Sequence, residues 1–567
     1  MTKDYRLHSR FGTVAFGILL FVVCTSCCGV ALCAETGDLY DSRLDKGLFN
    51  TEPYSYLLIE MAHEDGGRAR ELLSLAKRYS PDLPLVYFEL AREDLSLSGQ
   101  GVFEGLDYFR QGIRAYGRNF WWEFTLAGLV YASLMLSLAL SLLLVLIVRL
   151  VMDSGLVLHD AAEDRRRLII LTVPVVLSLF GPVALLAGMF FLIGLYFRRE
   201  NKAIVYASLL LFLFSPVLLS IGEKFFTAPS ANLRAVVAVN EGKDNEFALW
   251  ASKGRSDFAS RFSYALALKR EGRYQEAIEA YRSLTDASYR QDPRVYTNLG
   301  NAYYAGGDTE AAMDSYRKSL GIRPRAAALY NLSQLYREAL DFAKGDEYFQ
   351  EAARLDRAAI SRFTSVAGLT PNRFVVDETL PISVLWENAM AKGGWSPGAF
   401  PIIVIIIALA MTAAYYVVDR NMRYRAHRCK RCGAIFCSKC SRTLTWGEMC
   451  PRCYRSLIKI EEVDSRERIA GLLSIHQSQA RRRRIARALS YAVPGAGQIY
   501  SGRILSGLLF LWLFFFGGLL LVLSRMSLAA LVPFTHGWAA PPALAFMVFI
   551  YAVSVFDLKR RISRGWL

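Results

Sequence analysis

The residues most able to do chemistry lie in one short stretch. Cys429, Cys432, Cys437, Cys440, Cys450 and Cys453 form three Cys-x-x-Cys pairs within 25 residues, and His427 stands just ahead of them. Each pair can present two thiolates from a tight knuckle whose backbone amides stabilise the charge, and two pairs complete a tetrahedral zinc site. Of the ten cysteines in the chain, the other four (Cys24, Cys27, Cys28 and Cys33) all precede residue 34, so no disulfide framework is available to the segments between. A redox dithiol is a weaker reading: there are three pairs, and no βαβ pattern surrounds them. A hydrolytic zinc is also disfavoured, because all-cysteine sites are closed and structural. No His-Glu-x-x-His, Gly-x-Ser-x-Gly or phosphate loop occurs, and the six histidines are scattered. The chain is expected not to be an enzyme.

The cysteine pattern resembles zinc ribbons and cross-braced fingers. In cross-braced fingers alternate pairs share a metal. That resemblance would join Cys429 and Cys432 to Cys450 and Cys453 and leave Cys437 and Cys440 without a second pair. One structural zinc ion is expected, and a second lacks a full ligand set.

The elements that carry this cluster follow from hydropathy. The chain has 567 residues, 53% hydrophobic and 21% charged, which suits membrane spans alternating with soluble segments. Uncharged stretches long enough to cross a bilayer are Phe124–Val148, Leu168–Phe197, Ala203–Gly222, Gly393–Val418, Ile504–Ser524 and one ending at Phe556. Lys3, Arg6 and Arg10 precede an apolar run and then small residues up to Ala34, the order of a signal peptide over 1–34. Cleavage after Cys33 or Ala34 fits this pattern, a lipoprotein site at Cys27 or Cys33 fits less well, and an uncleaved anchor is the alternative.

The formal charge of +16 is concentrated in arginines beside apolar runs: Arg165–Arg167, Arg198–Arg199, Arg420–Arg428, Arg481–Arg484 and Lys559–Arg561. The positive-inside rule puts all of them in the cytoplasm. That holds only if 168–197 leaves and returns on one side, and Phe180-Gly181-Pro182 supplies the break for a hairpin or re-entrant pair. The same arginines permit nucleic-acid binding through a basic zinc module, but their places beside spans favour topology and contact with membrane lipid.

Between the spans lies a periodic segment. Leu299, Gly300, Tyr303, Ala312, Tyr316 and Pro324 are followed by Tyr336, Phe349 and Ala352 and preceded by Ala277 and Tyr281. The aromatics Tyr281, Tyr316 and Phe349 are 35 and 33 residues apart. This resembles the tetratricopeptide repeat (TPR) family over about 258–359. The resemblance implies a solenoid of helix pairs whose groove binds protein partners. Small residues at Gly300 and Ala312 let paired helices approach, and Gly306-Gly307-Asp308 makes the turn between them. Residues 68–119 look like degenerate repeats of the same sort.

The expected architecture is mainly α: a multi-span helical membrane protein with an α-solenoid domain and a small zinc module. Its parts are an exported helical region (35–119), transmembrane helices (120–222), a periplasmic TPR-like domain (223–392), a span (393–418), a zinc-ribbon-like module (427–456), a basic cytoplasmic linker (457–490) and a two-span module (491–567). The last opens on Pro494-Gly495-Ala496-Gly497-Gln498-Ile499-Tyr500, which resembles the entry of small two-span bacterial membrane modules. The expected place is the bacterial cytoplasmic membrane and the expected role a cell-envelope scaffold. The partner's identity and any small-molecule substrate are not encoded in a recognisable motif.

Overall fold

The computed structural model describes residues 36–97, 101–163, 168–285, 291–367, 375–391, 399–422, 425–429, 431–437, 449–457, 465–525 and 540–564. The signal-peptide segment and Cys440 lie outside these residues. The described chain is helical almost throughout, with one two-stranded antiparallel ribbon pairing His427 with Phe436 and Arg428 with Ile435. It divides into two compact units, each made of two separated stretches: Met1–Phe120 with Ala228–Lys392, and Trp121–Thr227 with Gly393–Leu567.

The first unit is a stack of helical hairpins. Three in succession are Phe258–Arg270 with Tyr274–Thr285, Pro293–Ala305 with Thr309–Ile322, and Ala326–Glu338 with Phe342–Leu355. Their turns repeat one device. Gly272, Gly307 and Leu340 each hold a left-handed backbone (φ +77°, +88° and +61°), which costs a residue with a Cβ but not glycine. Asp308 and Asp341 then cap the following helices by accepting from the amides of Ala311 and Lys344. Within the second hairpin a Cβ on Gly300 would stand 2.6 Å from the Tyr316 ring and 3.1 Å from the Ala312 carbonyl, so only glycine permits this approach.

The amino-terminal region belongs to the same unit. Its hairpins, Glu52–Glu64 with Ala69–Tyr79 and Pro84–Leu97 with Val102–Tyr116, are followed in space by the helix Ala231–Asn240 and the hairpins beyond it. At the seam the Asn50 amide donates to the Gly242 carbonyl (3.0 Å) and its side chain to the Glu241 carbonyl (2.8 Å). Lys243 bridges Glu52 and Glu241 at 2.8 and 2.7 Å. Two segments that read as separate exported regions are therefore one folded body, joined by polar contacts with no periodic signature.

The second unit holds the apolar helices. Among the described residues five are long and apolar enough to cross a membrane: Phe120–Ala161, Arg199–Thr227, Pro401–Asn421, Ile504–Ser524 and Pro541–Ser563. The sixth apolar stretch contains two short helices, Leu168–Ser178 and Pro182–Gly194, of 11 and 13 residues. At ~1.5 Å per residue each is shorter than a ~30 Å hydrocarbon core. Gly181 (φ +98°) and Pro182 make the break between them. Lys202 pairs with Asp419 at 2.5 Å, and the buried Tyr415 hydroxyl donates to the Gly194 carbonyl at 3.0 Å, tying three of these helices together.

Two helices extend beyond what hydropathy alone marks. The first apolar helix runs 44 residues to Glu163, well past Val148, because Arg149 and Asp153 pair at 2.5 Å and stay buried rather than ending it. Most of the basic stretch 457–490 lies in a 28-residue helix, Ser465–Ala492, with contacts along its length. Short of its middle Ile475 packs on the cysteines, and nearer its end the Ala486 carbonyl lies 2.5 Å from where a Gly497 Cβ would be. In the Pro494–Tyr500 motif, Gly495 (φ +89°) would meet the Gly507 carbonyl at 2.3 Å with any side chain, and Gln498 donates to the Ser554 carbonyl at 2.8 Å. The glycines and Gln498 thus serve helix packing.

Candidate functional site

The inner helices of the repeats carry asparagines whose side chains are buried: Asn298, Asn301 and Asn331. A buried amide must find partners, and these find an extended chain. Asn331 accepts from the Val376 amide (2.7 Å) and donates to the Val376 carbonyl (2.9 Å). Asn298 does the same to Glu378, at 2.8 Å in each direction. Asn240, further along the stack, accepts from the Leu380 amide at 2.7 Å. Residues 376, 378 and 380 are thus held by their main chain in alternation, as in a strand. The side chains between and beside them meet charge. Asp377 pairs with Lys269 (2.8 Å) and Arg270 (3.1 Å), and Glu378 makes two bonds to Arg325. Val375 and Val376 pack against the cores around Tyr316 and Tyr330.

Burial by itself raises the Asp377 carboxyl, but Lys269 and Arg270 outweigh it and hold the group well below the usual carboxylate range. Burial pushes the phenols of Tyr281 and Tyr316 well above their ordinary value, so both remain neutral hydroxyls. The Tyr281 oxygen accepts from Asn298 at 3.1 Å, and the Tyr316 hydroxyl donates to Asn301 at 2.8 Å. The two tyrosines therefore aim the asparagines.

Several of the expected repeat residues come together around this face. Ala277, Tyr281, Ala312, Tyr316 and Ala352 are fully buried, and Leu299 nearly so. Tyr303 accepts from Arg282 at 2.8 Å, while Tyr336 stacks on Tyr348 with ring centres 5.4 Å apart. Phe349 lies against Tyr330, and Pro324 follows the end of the helix Thr309–Ile322. The asparagines and the segment 375–380 have no place in the sequence reading. The available signal was three asparagines on helix faces otherwise lined by small and aromatic residues.

The second site is the cysteine cluster. The sulfurs of Cys429, Cys432, Cys450 and Cys453 all lie within 4.8 Å of one another, and Cys432 and Cys450 are 3.6 Å apart. A tetrahedron with metal–sulfur bonds of ~2.3 Å has edges of about 3.8 Å, so this donor set fits a tetrahedral thiolate-bound ion. Cys429 and Cys432 flank the turn after the strand His427–Arg428, and Cys450 and Cys453 flank the start of the helix Pro451–Leu457. Cys437 is buried but is not one of the four.

Burial raises the thiols of Cys429, Cys450 and Cys453. At Cys429 the backbone amides of Cys450, Cys432 and Arg431 outweigh that and bring it down to about 7, while Cys450 and Cys453 are pushed up. One thiolate forms readily and its charge opposes the next, a conflict that a dication removes. The cluster also joins other elements of its unit. Ser478 donates to the Cys432 carbonyl at 3.1 Å, and the Asp160 carboxylate accepts from the Ala426 amide at 3.1 Å.

A stack of helix pairs with a residue-lined inner face is an α-solenoid. The tetratricopeptide repeat family model matches residues 293–325 and 326–358. Photosystem I assembly protein Ycf3 of Prochlorococcus marinus is 27% identical over 148 residues, covering 24% of this chain and 79% of that protein. The same-named protein of Acaryochloris marina is 31% identical over 148 residues, covering 26% and 77%. The chain belongs to the tetratricopeptide repeat family.

Proposed function

We propose that this protein is a non-catalytic scaffold of the bacterial cell envelope, anchored in the cytoplasmic membrane, that binds partner proteins through its TPR solenoid. The observation that carries this reading is the inner face itself, where asparagines bond an extended chain through its main chain and cations read its carboxylates. Main-chain recognition with a few side-chain selectors is how protein surfaces capture peptide segments. The relatives are named as assembly proteins, and gathering partners for assembly is the kind of task we assign here.

The five apolar helices serve as the membrane anchor in this proposal. The described residues of 36–120 and 228–391 build one folded body, so the chain between 120 and 228 must cross the membrane an even number of times. With the basic flanks inside, the solenoid is periplasmic and the cysteine cluster cytoplasmic. Cys429, Cys432, Cys450 and Cys453 would hold one structural zinc ion, which fastens the turn of the His427–Phe436 ribbon to the helix Pro451–Leu457, with Ile475 packed against the cluster. Its role is to stabilise that module, with no open coordination position.

The test is site-specific photocrosslinking in intact cells from positions 303 and 336, beside the groove. A saturable crosslink to one envelope protein supports the reading, and crosslinks to the chain itself alone would overturn it. A reporter fused near residue 330 and found in the cytosol would overturn the assignment of sides.

A further inference from the structure

The groove that should receive a partner already contains a ligand, and the ligand is this chain. Residues 375–380 present their main chain to Asn331, Asn298 and Asn240 and their two carboxylates to Lys269, Arg270 and Arg325. Two negative groups face three positive ones. The backbone pairs are independent of side chain, so any extended peptide can make them, and the cations select for acid at two adjacent positions. Ion pairs buried in this way add little net stability over apolar contacts of the same shape, and their worth lies in specificity. A segment needed only to brace the solenoid would be served by valines and leucines. A chain with three alternate amides, two carbonyls and both carboxylates matched by receptor groups is a ligand.

We propose that residues 375–380 are a displaceable internal ligand, and that the groove's external ligand is an extended acidic peptide with adjacent carboxylates in the register of Asp377 and Glu378. The external peptide binds only by evicting the internal segment. This rests on reading the solenoid as a partner-binding surface and names the class of partner. The internal segment is tethered close to the groove, ahead of the helix Ile382–Ala391, so it competes at a high effective concentration. The apparent affinity for an external peptide falls by the fraction of molecules in which the groove is open. Free protein is held shut, and only a partner presenting the matching acidic segment at sufficient local concentration gains access.

The experiment uses the full chain in lipid nanodiscs and a fluorescent peptide of its own sequence Phe-Val-Val-Asp-Glu-Thr-Leu-Pro, residues 374–381. The double variant Asp377→Asn with Glu378→Gln weakens the internal ligand and leaves the groove intact. It should bind the peptide at least about tenfold more tightly than the unaltered protein. Adding Asn331→Ala to that background should abolish binding while the helical circular dichroism is retained. A peptide with Asn and Gln at the acidic positions should bind neither protein. Unlabelled acidic peptide should also speed hydrogen exchange at the amides of Val376, Glu378 and Leu380 in the unaltered chain.

Equal peptide affinity with and without the double variant, or no binding to either, would overturn the proposal. The two readings fail separately. A saturable partner crosslink with no peptide binding leaves the scaffold and removes the internal ligand. Peptide binding with acceleration of those three amides but no partner crosslink does the reverse.

Discussion

Asn331 and Val376 exchange two hydrogen bonds, at 2.7 and 2.9 Å, across 45 residues of chain. An asparagine side chain thereby treats a distant backbone unit as a neighbouring strand would. Asn298, at the equivalent place 33 residues earlier, does the same to Glu378, so the repeat period of the solenoid becomes a two-residue period in the segment it holds. Replacing Asn331 by alanine removes both bonds and strands the Val376 amide, while the carbonyl keeps its 2.9 Å bond from Asn301. We expect a local loss of about 1–3 kcal/mol, read as roughly 5–150-fold faster exchange of the Val376 amide with little change in the outer helices. Unchanged protection would show that the pair contributes nothing.

The Asp377 carboxylate is held well below its ordinary range because Lys269 and Arg270 outweigh the burial that raises it. A depressed folded-state pKa contributes stability that is fully present above the unfolded value of ~3.9 and is lost as pH falls through the folded value. Protection of residues 376–380, corrected for intrinsic exchange, should therefore be flat from pH 8 to about 4.5 and decline only below that. A decline between pH 5 and 7 would mean that another group controls the segment.

Gly300→Ala should damage the second hairpin. The new methyl would lie 2.6 Å from the Tyr316 ring, whose hydroxyl positions Asn301. Overpacking of this kind costs about 1–3 kcal/mol, measured as a lower thermal midpoint of the solenoid. A rise in the midpoint would contradict the helix approach described here.

Leu340 holds a left-handed backbone where the two preceding turns use glycine, and its side chain is 75% exposed. Leu340→Gly should relieve about 1 kcal/mol of strain while losing little packing, so the variant should melt at a higher temperature. A lower melting temperature would mean that the leucine side chain makes a contact outweighing the strain.

Zinc content should be one ion per chain and should be lost on replacing any of Cys429, Cys432, Cys450 or Cys453 by serine. Replacing Cys437 and Cys440 should leave that ion in place. Removing the metal should expose the Ile475 region of the helix Ser465–Ala492 to proteolysis, because the cysteine cluster packs on that residue. Two ions per chain, or retention after the Cys429 change, would refute the four-thiol site.

The repeats were legible because Gly300, Ala312, Tyr281 and Tyr316 recur at intervals that only stacked helix pairs require. The apolar helices were legible for a related reason: long uncharged runs are local facts, and the break at Gly181-Pro182 is a matter of backbone chemistry. The Cys-x-x-Cys spacing likewise specified knuckles, and the resemblance to cross-braced fingers indicated which pairs would meet. Contacts between distant segments left no comparable trace. Asn50 and Lys243, which join the amino-terminal hairpins to the solenoid, look like ordinary surface residues in sequence. The same is true of Asp377, whose cationic partners lie more than 100 residues away.

Periodicity, spacing and charge along the chain by themselves determined which elements form and which segments can stack or span, because those properties depend on neighbours within a turn or a repeat. Only the tertiary structure decided that two separated stretches make one solenoid and that residues 375–380 lie in its groove. Side-chain hydrogen bonds and ion pairs depend on distance in space, and the asparagines that make them have no period or composition to announce their partners.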